Sequence, residues 1–167
     1  MRHEFTMKYE LDTTVPAAVA AYLDAEHYVF LHNAYFPLYE VLEQDGLKLK
    51  IRQTWSLGSL KFGNYCTTEY VPPARFLNYD LKPCPVWWPS IHHLIKVSTD
   101  QHYYPTPDGQ NTYSEIRMTI DMPFFIYPFR KFIQKKLEKL KWEKDQEDLD
   151  MVHRRAEIFG RGNIKAY

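Results

Sequence analysis

The end of the chain constrains the rest of it. After Pro128 the sequence is strongly helical to about Phe159, and the glycines of GRGN at 160–163 stop the pattern. What precedes is different, because from residue 38 to residue 121 the pattern is one of strands. A long amphipathic helix that arrives after a sheet has to bury its apolar stripe against that sheet. The expected architecture is therefore α+β, with the helix laid across the strands.

The strands are read from alternation. Phe5, Met7, Tyr9 and Leu11 alternate with Glu4, Thr6, Lys8 and Glu10, the period of a strand with one buried face. TTVPAAVAAYLD then gives a helix start, with Thr13 or Thr14 as cap and Pro16 in the first turn. LDAEHYVFLHNAYFP at 23–37 continues it as a second short helix. LYEVLEQDGLKLKIRQTWSL is a hairpin with Asp45-Gly46 at its turn. Further strands are expected near 60–71, 75–82 and 91–104. DGQNTYSEIRMTID adds a turn and a strand with Ser114, Ile116, Met118 and Ile120 on one face. KPCPVWWP at 82–89 reads as a proline-broken loop. No repeat or linker interrupts this order, so residues 1–167 are expected to form one domain.

Composition excludes several classes. The 21 basic and 21 acidic residues cancel, which argues against the basic surface that nucleic acid demands. Two cysteines, Cys66 and Cys84, make neither a disulfide framework nor a cluster site. The N-terminus lacks the apolar core of a signal peptide, and no run approaches the length of a membrane helix, so no stable membrane insertion is expected. The default compartment is the cytoplasm. With 13 Tyr and 10 Phe the aromatic content is high. Tyrosine hydroxyls need polar partners, which suits a half-wet cavity.

Two histidines interrupt the apolar stretch at 23–37. Asp24, His27 and His32 stand in the spacing D-x-x-H-x-x-x-x-H. His32 is five residues from His27, so a break near Phe30 is needed to bring the two together. The helix offers carboxylates in WEKDQEDLDMVHRRAEIFG. With Phe129 as zero and about 100° per residue, its buried stripe passes near 90° and Asp148 falls at about 100°. Glu147 is near the stripe, while Asp145 and Asp150 lie further off. A carboxylate facing an apolar interior must be paired, protonated or ligated.

The order of elements, the LDTTVPAAVAAYLDAEHY opening and the closing helix resemble the helix-grip fold of the START-like superfamily, also called SRPBCC or birch-pollen-allergen-like. The resemblance implies a curved antiparallel sheet of about six to seven strands wrapped around a long C-terminal helix, with two short helices after the first strand. It also implies an apolar cavity between sheet and helix. Most members bind hydrophobic small molecules such as lipids, sterols and polyketides, and some cyclise polyketides. The D-x-x-H-x-x-x-x-H spacing and EDLDMVHRR further resemble the catalytic domain of Rieske non-haem iron oxygenases. That likeness implies Fe(II) held by His27, His32 and Asp148. Here Ala21 replaces the asparagine common in that motif, and no Rieske cluster motif is present, so electrons would come from a separate redox partner.

Three readings follow. A hydrophobic small molecule is bound in a cavity lined by Tyr9, Trp55, His93, Ile95, Ile116, Met118 and Ile120, with Phe129 and Ile133 from the helix. Alternatively the chain is a mononuclear iron enzyme, or a domain filled by its own aromatics. His92, His93, His102 and Asp100 form no compact ligand set, since alternation puts His92 and His93 on opposite faces. Arg117 and Glu115 read as a solvated cross-strand pair. PFFIYPFRKFIQKKLEKLK at 123–141 reads most simply as the start of the gripped helix with a solvated lysine face; contact with an anionic membrane is its alternative.

Overall fold

The computed structural model describes residues 1–24, 31–32, 38–57, 60–83 and 95–159 (for 55–57, 60–62, 83, 156, 158 and 159, the backbone alone). Among the described residues seven strands run in chain order as β1 (Arg2–Leu11), β2 (Leu38–Asp45), β3 (Lys48–Leu57), β4 (Leu60–Val71), β5 (Arg75–Pro83), β6 (Lys96–Pro105) and β7 (Thr112–Asp121). Helix α1 (Val15–Leu23) follows β1. Helix α2 (Arg130–Phe159) closes the described chain after a 3-10 turn at Tyr127–Phe129.

The strands form one antiparallel, curved sheet in the order β1-β7-β6-β5-β4-β3-β2. Strands β2 to β7 are a meander, each beside its sequence neighbour, and β1 pairs with β7 from Arg2↔Asp121 to Leu11↔Thr112. The alternation read from the sequence sets the inner face. Leu11 is buried while the partners of its strand alternate in exposure, and across the register Ile116 and Ile120 have no exposed surface. At the β2–β3 turn Gly46 has φ +56, a left-handed conformation that favours glycine over residues with a Cβ.

Helix α2 lies against this inner face. His3 Nε2 and Gln134 Oε1 are 2.8 Å apart near its start, and the Tyr9 ring meets Trp142 edge-on at 5.3 Å near its middle. Its far end is held by α1 and the loop before it, where Arg155 donates to Asp24 at 2.8 Å and the His153 ring meets the Asp12 carbonyl at 2.7 Å. The small side chains of Ala18 and Ala21 are buried and let α1 approach closely. One core cluster joins Leu11, Ala18, Phe76, Tyr103 and Leu149, with Phe76 stacked on Tyr22 at 3.9 Å and on Tyr70 at 5.0 Å. Of the second short helix expected at 23–37 only 23–24 and 31–32 are described, and of the loop expected at 82–89 only 82 and 83, which end β5; the rest lies outside the described residues.

Candidate functional site

Helix α2 changes character along its buried stripe. Its first turns put Ile133 and Leu137 inward, as an apolar stripe should. Further on, the same side of the helix carries Lys141, Lys144, Asp145 and Asp148. Asp145 is 4% exposed and Lys144 5%, so both charges are withdrawn from water. Each lysine reaches the aspartate one turn along: Lys141 donates to Asp145, and Lys144 donates to Asp148 at 3.2 Å. Pairing at this spacing is what makes buried charge tolerable.

The sheet answers with hydroxyls and amides. Tyr9 on β1 donates its phenol to Asp145, and Ser114, directly opposite in register, hydrogen-bonds the same phenol. Gln101 donates to the Tyr103 hydroxyl at 2.7 Å and to Ser114 at 3.3 Å. Asn78 donates to the Tyr22 hydroxyl at 2.9 Å and to Thr99 at 2.8 Å, and accepts from Thr68 at 2.7 Å. The Lys144 ammonium stands 5.6 Å from the Tyr22 ring centroid. The inner wall therefore carries two polar clusters, one around Asp145 and one around Asn78, where the sequence suggested an apolar lining.

Burial dominates the electrostatics. It pushes the phenols of Tyr9, Tyr22, Tyr39 and Tyr103 upward, and the Asp145 charge adds to this at Tyr9 and Tyr103. The Cys66 thiol is pushed up to about 11 for the same reason. Burial lowers Lys141, an effect that the adjacent Asp145 opposes. Between α1, α2 and the sheet lies a cavity of about 20 Å³, bordered by Thr13, Ala21, Tyr22, Tyr103, Asp145 and Asp148 among others.

The residues expected from sequence are distributed unevenly about this cluster. Tyr9 is in it. Ile116, Met118 and Ile120 are buried on the inner face of β7, and Ile133 is half-buried on the inward side of α2. Ile95 is half-buried just before β6. Phe129 is corrected: it is exposed, because the 3-10 turn holds it outside the helical phase that begins at Arg130. His93 and the Trp55 side chain lie outside the described residues. Asp145, which the phase count put off the stripe, is the most buried carboxylate of the helix. Lys141 and Lys144 fall at about 120° and 60° in that same count, on the stripe, and were passed over as cations. The signal was present in their phase.

His32 and Asp148 do meet, with Nε2 2.7 Å from Oδ1, and His32 Nδ1 lies 2.6 Å from Glu147 Oε2. His27 is outside the described residues. The ring has no exposed surface, and both its nitrogens aim at carboxylate oxygens. His32 and Asp148 are thus brought together as the spacing suggested, and Glu147 takes the other ring nitrogen. Among the described residues no group of three or more His, Cys, Asp or Glu could hold a metal ion. Elsewhere, His102 lies beside Asp100, which Arg75 grips through two bonds of 2.9 Å. Glu115 pairs with Lys8 across the β1–β7 register at 2.8 Å, a solvated cross-strand pair whose cation is not Arg117. No helix among the described residues is long and apolar enough to cross a membrane.

No family model matches the sequence, and no curated protein matches it. Solved structures do match in fold. The Zhui aromatase/cyclase from Streptomyces sp. R1128 superposes with a TM-score of 0.75 at 10% identity, over 98% of this chain and 100% of that one. Norcoclaurine synthase from Thalictrum flavum gives 0.65 at 12% identity, over 93% and 96%. A START superfamily protein from Mycobacterium smegmatis gives 0.62 at 10% identity, over 87% and 98%. The likeness to Rieske oxygenases rests on sequence spacing alone. Like these solved structures, this chain has a helix-grip fold, a curved antiparallel sheet closed by a long C-terminal helix.

Proposed function

We propose that this chain binds a hydrophobic small molecule of lipid, sterol or polyketide-like character inside the grip, and that the buried charge cluster orients its polar end. The observation that carries this reading is the pair of Lys–Asp contacts, Lys141–Asp145 and Lys144–Asp148, on the buried side of α2 beside a cavity. Desolvating ions costs several kcal/mol each, and apolar residues of similar size commonly stabilise a fold as well or better. Charge kept in such a place is a mark of a site. The cavity of about 20 Å³ accepts a group the size of a water, hydroxyl or carbonyl oxygen, so it serves the polar end of the ligand. The apolar body would lie against Ile116, Met118, Ile120 and Ile133. Because Ile116 and Ile120 have no exposed surface, admission there requires helix and sheet to part. Support also comes from the solved neighbours, since the same fold serves an aromatase/cyclase and a norcoclaurine synthase in complex with a transition-state analogue.

Organic extraction of the purified protein followed by mass spectrometry tests the reading. A stoichiometric hydrophobic compound carrying a hydroxyl, carbonyl or carboxyl group is expected. Folded protein that yields no such compound and binds no hydrophobic fluorophore saturably would contradict it.

A further inference from the structure

The turn before α2 and the helix's first outer face expose four phenylalanines. Phe124, Phe125, Phe129 and Phe132 are 77, 53, 62 and 62% exposed, and Phe124 and Phe125 meet edge-on at 5.6 Å. Scattered apolar residues on a surface need no explanation, but four large aromatics within nine residues of chain do. Water is a poor environment for them, and nothing in the charge cluster or the grip requires them.

The charge around them is one-sided. Between residues 124 and 139 stand the cations Arg130, Lys131, Lys135, Lys136 and Lys139 and a single carboxylate, Glu138, in a chain of zero net charge. Glu138 is partly buried and accepts from Gln134 at 2.7 Å, toward the inner side of the helix. Lys139 is partly offset by Glu143 at 3.5 Å. Lys131, Lys135 and Lys136 are exposed, and the Lys136 ammonium lies 5.7 Å from the Phe132 ring centroid. Arg130 stacks over Tyr127 at 4.6 Å. At about 100° per residue, Phe132, Lys135 and Lys139 share the side of α2 turned away from Ile133 and Leu137. Aromatic rings flanked by lysines are the composition that settles at the boundary between lipid headgroups and acyl chains.

We propose that this face docks reversibly on an anionic lipid surface, with Phe124, Phe125, Phe129 and Phe132 in the headgroup layer and Lys131, Lys135 and Lys136 over acidic headgroups. The contact is peripheral, since no described helix could span a bilayer. It does not depend on the ligand proposed above.

Flotation of the full chain with phosphatidylcholine vesicles, with and without phosphatidylserine, tests it. Binding is expected on the anionic vesicles alone and is lost as salt is raised. Each lysine near an anionic surface is worth about fivefold in partitioning, so Lys131→Glu/Lys135→Glu/Lys136→Glu should lower it by at least about a hundredfold. Phe124→Ser/Phe125→Ser should lower it as well, with an unchanged circular dichroism spectrum in both variants. Equal binding to neutral vesicles, absence of binding, or wild-type binding by the phenylalanine variant would overturn the proposal. So would a dimer in solution that those substitutions dissociate while vesicles remain unbound, which would assign the face to a second copy of the chain.

Discussion

Asp145 ties the closing helix to the first strand. It is almost fully buried, and it accepts from both Lys141 on its own helix and Tyr9 on the first strand. Asp145→Asn removes the charge and leaves a buried ammonium facing an amide. Breaking one partner of a buried pair costs roughly 3 kcal/mol or more, so the free energy of urea unfolding should fall by that amount, moving the midpoint down with an unchanged slope. A loss within a few tenths of a kcal/mol would mean that water reaches the pair. The tyrosines make a second prediction. Tyr9, Tyr22, Tyr39 and Tyr103 all titrate above their ordinary range because burial penalises the phenolate. A group raised in the folded state stabilises the fold below its ordinary value, about 10 for tyrosine, and loses that contribution as pH rises further. Lys141 works in the opposite direction, since a lowered lysine costs least once the solution is alkaline. Four tyrosines outweigh one lysine, so stability should decline above about pH 10, and these phenols should ionise together with unfolding. Ultraviolet difference titration against circular dichroism checks this. Phenols that ionise well before the fold is lost would refute it.

At the scale of elements, the strands and the long helix were legible because alternation and helical phase act locally. The β2–β3 turn was readable from Asp45-Gly46, and it yields a prediction of its own. Nothing stands within 4 Å of where a Cβ on Gly46 would be, so the cost of Gly46→Ala is conformational and not steric. It should be about 1 kcal/mol in thermal or urea unfolding. No change at all would mean that the turn readjusts. The helix shows where local reading stops. Counting phase from Phe129 assumed one continuous helix, whereas a 3-10 turn separates Phe129 from α2 and puts it on the surface. In the second half of α2 the stripe is inward but charged, and a count weighted by hydrophobicity cannot see it. Lys144 and Asp145 become interior only because Tyr9, Ser114, Gln101 and Tyr103 arrive from three strands distant in sequence. That is tertiary information.

For the whole molecule, fold and function part company. The order of elements sufficed to anticipate a helix-grip domain, and the solved neighbours share that architecture at 10 to 12% identity. Fold alone does not choose a chemistry, so the functional reading rests on the charge cluster. The polar clusters of the interior were not foreseen, because single-strand alternation separates inside from outside but does not say that Tyr22, Asn78 and Thr68 will find one another there. The central claim is that Lys141 and Asp145 are retained for a ligand and not for stability. The paired substitution Lys141→Met/Asp145→Leu separates the two, since it removes both charges together and leaves neither stranded. Measured side by side for unfolding by urea and for binding of the compound extracted from the wild-type protein, the double variant should be at least as stable as the wild type and should lose affinity at least tenfold. A double variant that keeps wild-type affinity would contradict the account.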